Sequence, residues 1–272
     1  QNINYGPADG LARLHWNENY YGPSDRAIEA ITTSSFQGAY YPDHLVDYLK
    51  SMIADYNGID NSNIAISAGS TQALTILSQV KAREGSILST GLTYDVHLSV
   101  AKNSGARVIS VSDNSDMTID LKSMESMSRK NVSAVFIVNP NNPSGMILDS
   151  EVLRESVKRM SENALVVVDE AYNEVTSDPE KNSMIDLVKD GYNVAISRTF
   201  SKIYGLSSLR IGWGYGSKKI IDALNIIKPP FNVNEVAQKA AVASLKDNKF
   251  VSRSIKHNIF YATKLKDFLN RY

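Results

Sequence analysis

The sequence predicts an α/β fold built on a mostly parallel sheet with helices on both faces. Short unbroken apolar runs, such as Ala134-Val135-Phe136-Ile137-Val138 and Leu165-Val166-Val167-Val168, alternate with stretches of helical periodicity. Strands covered on both faces read as continuous apolar runs, whereas a sheet with one wet face alternates. At 272 residues the chain can bury a sizeable core. Ligands of such sheets collect beyond the carboxyl ends of the strands, so the loops that follow the apolar runs are where chemistry is sought.

Residues 1–23 read as an irregular arm ending in Tyr20-Tyr21-Gly22-Pro23. Ser24 suits a helix N-cap, with Asp25 in the first turn. A second helix is expected from about Asp43 to Tyr56, stopped by Asn57-Gly58. Strands are expected at 63–67, 86–89, 107–111, 134–138, 164–169 and 193–197, with helices at 71–82, 95–103, 120–129 and 149–162 between them. From about residue 217 the pattern is helical, interrupted by Lys228-Pro229-Pro230, and 234–271 is an amphipathic helical run. The expected division is an arm (1–23), a large unit (24–225) and the helical start of a second, incomplete unit (226–272).

Composition excludes several classes. The 29 basic and 29 acidic residues balance, and no basic run suits nucleic acid or an anionic membrane surface. No apolar run approaches a membrane span, and Gln1-Asn2-Ile3-Asn4 has no signal-peptide pattern, so a cytoplasmic protein is expected. Without cysteine there is no disulfide, thiolate nucleophile or cysteine metal site. His15, His44, His97 and His257 are not at ligand spacing, and no metal is expected.

Four loops after apolar runs carry polar groups. Gly69-Ser70-Thr71 opens a helix, where free N–H groups and the helix dipole favour an anion; a plain Ser/Thr cap is the alternative. In Asn139-Pro140-Asn141-Asn142-Pro143-Ser144-Gly145, Pro143 restricts Asn142 to an extended backbone that can project its side chain; an ordinary turn is the alternative. Asp169, ending a buried run, needs a partner for its carboxylate, and Glu170-Ala171-Tyr172 follow it. A pyridinium N–H would be one partner; a metal, a helix cap or an ATPase acidic pair are others, though no G-x-x-x-x-G-K-[ST] occurs. Ser197-Arg198-Thr199-Phe200-Ser201-Lys202-Ile203-Tyr204-Gly205 places one lysine among hydroxyls, with Arg210 eight positions on. Such a lysine can form a Schiff base with an aldehyde cofactor, and the hydroxyls and arginine can hold a phosphate. Singly, each is a surface residue.

In this order and spacing, Gly69, Ser70, Thr71, Tyr94, Asn142, Asp169, Tyr172, Thr199, Ser201, Lys202 and Arg210 resemble the pyridoxal phosphate (PLP)-dependent aminotransferases of fold type I, class I/II. The runs 17–24, 40–43, 139–145, 169–172, 198–210 and 230–234 resemble the histidinol-phosphate aminotransferase branch. The resemblance implies a seven-stranded sheet, Lys202 as Schiff-base lysine and proton shuttle, and Asp169 as partner of the pyridine nitrogen. It also implies Asn142 and Tyr172 on the phenolic oxygen, and Tyr94 stacked on the ring. Gly69, Ser70, Thr71, Thr199, Ser201 and Arg210 would form the phosphate cup. Tyr41 would reach the cofactor of a neighbouring subunit, which makes a homodimer the active unit. Tyr5, Asn19, Tyr20, Phe231 and Asn232 are further candidates for the substrate pocket. The implied reaction passes an amino group from histidinol phosphate, or an aromatic amino acid, to a 2-oxo acid such as 2-oxoglutarate.

Three departures stand out. Leu92 occupies a usual proline position, and His97 a usual aromatic one. The family's downstream α/β segment, with its substrate-gripping arginine, has no counterpart in these 272 residues, so a truncated chain or a natural variant is expected. The rival readings are a threonine-phosphate decarboxylase-like enzyme, a PLP-binding module without turnover, and an α/β domain without PLP.

Overall fold

The structure is a computed structural model that describes residues 14–42 and 45–271. The candidate Tyr5 lies outside the described residues. Helices α1 (Asp25–Ser34) and α2 (Leu45–Asn57) precede the sheet, and Ser24 Oγ caps α1 by accepting from the Ala27 N–H. Alternation then begins with β1 (Ile64–Ser67), α3 (Ser70–Lys81), β2 (Ser86–Thr90), α4 (Val96–Asn103), β3 (Val108–Val111), α5 (Leu121–Ser128) and β4 (Val132–Val138). It continues with α6 (Ser150–Ser161), β5 (Leu165–Asp169), two short helices α7 (Pro179–Asn182) and α8 (Ile185–Lys189), and β6 (Val194–Thr199). Then come β7 (Gly212–Gly216), α9 (Lys218–Ile227), α10 (Glu235–Leu245) and α11 (Asn248–Leu269).

Among the described residues the sheet has seven strands in the order β1-β7-β6-β5-β4-β2-β3. Only β7 runs against its neighbours, β1 and β6. The expected mostly parallel α/β sheet is therefore present. Strand β7 departs from the apolar-run rule. Its sequence Gly-Trp-Gly-Tyr-Gly has no β-branched residue, and interior glycines weaken a strand signal. Trp213 and Tyr215 bury into one face, while an added Cβ at Gly212 would run into the Ser70 amide. The missing side chain lets the start of α3 sit against the sheet.

Two apolar layers sandwich the sheet. Val166, Val168, Val194 and Ile196 point to the layer formed with α1, α2, α5, α6, α8 and α10. Leu165, Val167 and Ala195 point to the other, with α3, α4 and α9. This period-2 alternation decides which face each residue at the strand ends serves. Ala237, Ala240 and Ala241 of α10 are fully buried in the first layer, so the packed unit runs past residue 225. The run 234–271 is two helices, broken at Lys246-Asp247, where the Asp247 carboxylate caps α11. Beyond Ser254, α11 projects, with Ile259, Phe260, Tyr261, Leu265, Phe268 and Leu269 each more than half exposed.

His97 on α4 is 1% exposed, packed on Phe136 at 4.5 Å between ring centroids, and neither ring nitrogen has a hydrogen-bond partner. Burial lowers its pKa from 6.5 to about 4. The unfolded chain takes up the proton first as pH falls, so stability is lost between pH 6.5 and about 4. His97→Phe keeps the ring contact and removes that loss. Urea unfolding at pH 7 and pH 4.5 should show the wild type losing about 2–3 kcal/mol more than the variant across that interval.

Candidate active site

The carboxyl ends of β5 and β6 lie side by side, with Asp169 in register with Ser197. By the alternation of each strand, Asp169, Ser197 and Thr199 share the face on which α3 packs. Asp169 is 5% exposed, and neither its Oδ1 nor the Ser197 hydroxyl has a well-formed hydrogen bond. Burial pushes the Asp169 carboxyl up to about 7, with the Ser197 hydroxyl and Ala171 amide pulling it partly back. Lys202 is close enough for its charge to act on that carboxylate.

Lys202 is half-buried, and burial lowers its pKa. Its Nζ donates to the Trp16 carbonyl at 2.8 Å and lies 5.4 Å from the centre of the Tyr172 ring. Asn17 Nδ2 donates to the Tyr172 hydroxyl at 3.2 Å, so two consecutive arm residues touch two of the expected site residues. Trp16 carries no local sequence signal beyond membership of the arm, and Asn17 only that of opening the run 17–24.

Beside these groups, Gly69 caps α3 with φ +73° and ψ 166°, a backbone open almost only to glycine. An added Cβ there would run into the Arg210 guanidinium, which therefore lies over the helix start. Arg210 Nη1 donates to Ser201 Oγ at 3.3 Å and to the Ser207 carbonyl at 2.6 Å. Thr199 Oγ1 donates to Ser201 Oγ at 2.9 Å and accepts from the Ser201 amide at 3.0 Å. Thr71 Oγ1 and Tyr94 Oη are 3.0 Å apart. The result is a cluster of amides, hydroxyls and one guanidinium that suits a dianion. Gly69→Ala should cost about 1–3 kcal/mol of stability through backbone strain and also displace the guanidinium. Thermal unfolding with and without PLP checks both effects.

The asparagine run divides by role. Asn139 donates to Asn182 Oδ1 and accepts from the Leu148 amide. Asn141 donates to the Leu92 carbonyl and Ser144 Oγ. Among the described residues Asn142 makes no side-chain hydrogen bond and is half-buried.

A family model described as "Aminotransferase class I and II" matches residues 10–271. The chain belongs to the class I and II aminotransferases. It is 36% identical over 262 residues to the histidinol-phosphate aminotransferase of Pelagibacter ubique, covering 96% of this chain and 72% of that relative. The enzyme of the same name from Campylobacter hominis is 35% identical over 266 residues, with the same coverage. The crystal structure of the Sinorhizobium meliloti histidinol-phosphate aminotransferase, in complex with pyridoxal-5'-phosphate, superposes with a TM-score of 0.84. That match has 28% identity and covers 90% of this chain and 66% of the other. The protein is a PLP-dependent aminotransferase that transfers amino groups between small molecules.

Several other expected residues of the aminotransferase are exposed. Tyr41 is 80% exposed, with its ring 5.0 Å from that of Phe231. Tyr20 is 86% exposed and stacks on His257 of α11 at 5.8 Å. Two of the candidates for the substrate pocket have committed side chains. The Asn19 amide donates to the Ile203 carbonyl and to Ser254 Oγ, and its oxygen accepts from the Tyr21 N–H. The Asn232 amide donates to Gln72 Oε1 and the Ile66 carbonyl. In this structure both fasten elements together. Among the described residues no helix is long and apolar enough to cross a membrane.

Proposed function

We propose that this aminotransferase passes the amino group of histidinol phosphate to 2-oxoglutarate, as a cytoplasmic homodimer. The donor rests on the names of its relatives and on the runs shared with that branch. The observation that carries the site assignment is Asp169 Oδ1, buried and without a partner beside Lys202. A pyridine N–H is the donor that this oxygen lacks, and the donors gathered at Gly69 and Arg210 suit the phosphate on the same ring.

Bound PLP supplies an aldehyde that condenses with amines and a ring that takes up negative charge. Lys202 Nζ, its pKa lowered by burial, would then be the base that takes the donor's Cα proton and holds it for return. Asp169 holds a proton on the ring nitrogen. Asn142 and Tyr172 hydrogen-bond the ring oxygen. The Ser70 and Thr71 amides, with Thr199, Ser201 and Arg210, bind the phosphate. Tyr94 covers the ring face and excludes water. Exposed Tyr41 is assigned to the cofactor of a second copy. Exposed Tyr20 and Phe231 remain the proposed substrate contacts. The large unit is proposed to extend through α10, with the second unit beginning on the projecting part of α11, because the α10 alanines belong to the sheet's core.

The test is a donor panel with 2-oxoglutarate, reading glutamate and CO₂ separately. Histidinol phosphate is expected to give the highest kcat/KM, with no CO₂. A higher kcat/KM for an aromatic amino acid would refute the donor. CO₂ from threonine phosphate without glutamate would instead assign the site to decarboxylation.

A further inference from the structure

Behind the candidate site, on the opposite face of the sheet, lies a buried charge cluster with no assigned part in the chemistry. Arg198, 8% exposed, sits between Ser197 and Thr199 on β6, so its side chain leaves by the face opposite theirs. Glu170, 1% exposed, follows Asp169 and likewise turns away from it. Arg198 Nη2 is 2.7 Å from Glu170 Oε2, and Arg198 Nε donates to the same oxygen at 2.9 Å. Arg198 Nη1 reaches Glu174 Oε1 at 3.2 Å, two residues beyond Tyr172. Arg198 Nη2 also donates to Ser183 Oγ at 3.1 Å, and Glu170 Oε1 accepts from the Met184 amide at 2.7 Å. Glu170 is further tied to β6 through its own N–H, which donates to the Ser197 carbonyl at 2.9 Å.

We propose that Arg198 is a positioning residue, clamping Glu170 and Glu174 on the reverse face so that Asp169 and Tyr172 stand fixed on the front. The proposal rests on the assignment of Asp169 as partner of the ring nitrogen. Two consequences follow from the connectivity. First, one guanidinium ties the end of β5, the loop after Tyr172 and the end of β6, so the carboxylate and the Lys202 loop are held at one spacing. Second, its positive charge offsets a glutamate adjacent to Asp169. That glutamate opposes ionisation of Asp169, Lys202 favours it, and Ser197 and Tyr172 are the polar side chains nearest in the chain and in the register. His97 of α4 packs on the same face and is held neutral by burial. Burial opposes the charge of Arg198, but Glu170 and Glu174 keep it protonated. Leaving either carboxylate buried and unpaired is costly, so the cluster acts as a unit.

PLP affinity measured against pH separates positioning from plain folding support. Glu170→Gln keeps the acceptor for the Met184 amide and removes the charge, so the pH above which PLP binds tightly should fall by about half a unit or more. Arg198→Gln should raise that pH by a similar amount and weaken PLP at neutral pH about tenfold or more. The Arg198→Gln/Glu170→Gln double variant should return toward the wild-type midpoint. A folded Glu170→Gln variant with an unmoved midpoint would overturn the proposal, and so would single variants that shift in the same direction. If Arg198→Gln does not fold, Glu170→Gln and the double variant decide. If the wild type takes up no PLP, the assignment of the site fails separately. Melting temperatures of the cofactor-free proteins across pH 5–9 then decide the proposal: the same ordering of midpoints supports it, and superimposable profiles overturn it.

Discussion

Lys202→Ala is expected to abolish the absorbance that follows covalent attachment of PLP and to lower amino transfer by about a thousandfold or more. Two losses act together. The covalent anchor disappears, and so does the amine that moves the Cα proton, a general-base contribution of about 10²–10⁴ on its own. Two other cations among the described residues are committed elsewhere: Arg210 donates to Ser201 and the Ser207 carbonyl, and Lys228 to the Ile66 carbonyl on β1. Spectra of wild type and variant with added PLP, followed by single-turnover kinetics, make the comparison. An unchanged absorbance band in the variant would refute Lys202 as the attachment point. Added small amines should restore part of the rate, because they can replace the proton carrier but not the anchor.

Asp169→Asn is expected to separate stability from function. The folded carboxyl is raised from 3.8 to about 7 by burial, so the native state holds a proton that the unfolded chain releases. The stability contributed by protonated Asp169 is complete below pH 3.8 and is lost as pH rises toward 7. Asparagine has no such loss. The cofactor-free variant should therefore be more stable than the wild type at pH 8, by ~4 kcal/mol on this shift. At the same pH its kcat should fall about 10²–10³-fold, because the charge facing the ring nitrogen is gone. Denaturant unfolding at pH 5 and pH 8 and steady-state kinetics at pH 8 measure both. Equal stability at pH 8 would show that burial does not raise the Asp169 carboxyl.

The chemistry-bearing residues were legible because their types are demanding. An acid at the end of an apolar run, such as Asp169, needs a partner wherever the strand lies, and a lysine among hydroxyls after another run marks a loop end. The apolar runs themselves were legible because both sheet faces are covered, so six strands stood out from the alternation. Strand β7 did not, because its glycines serve the close approach of α3 rather than strand propensity. The break at Lys246-Asp247 was likewise hidden inside one amphipathic pattern, and only the Asp247 cap and the turn of α11 away from the sheet reveal it. Asn19 and Asn232 are pocket candidates by resemblance, and their ties to Ile203 and Gln72 were not legible because a local run does not encode a partner 160 or more positions away.

The sequence by itself determined the fold class, and its resemblance to the class I and II aminotransferases implied the PLP chemistry and the order of the candidate residues. Both depend on residue type, order and local periodicity, which survive without coordinates. Only the tertiary structure decided which face of the sheet each residue serves. Adjacent residues in a strand point in opposite directions, so Asp169 and Glu170, or Arg198 and Thr199, are neighbours in the chain but lie on opposite sides of a packed sheet. Which partner each then meets is set by the strand order and by segments up to 186 positions away, as the arm residue Trp16 and Lys202 show. No local pattern encodes a contact across that distance.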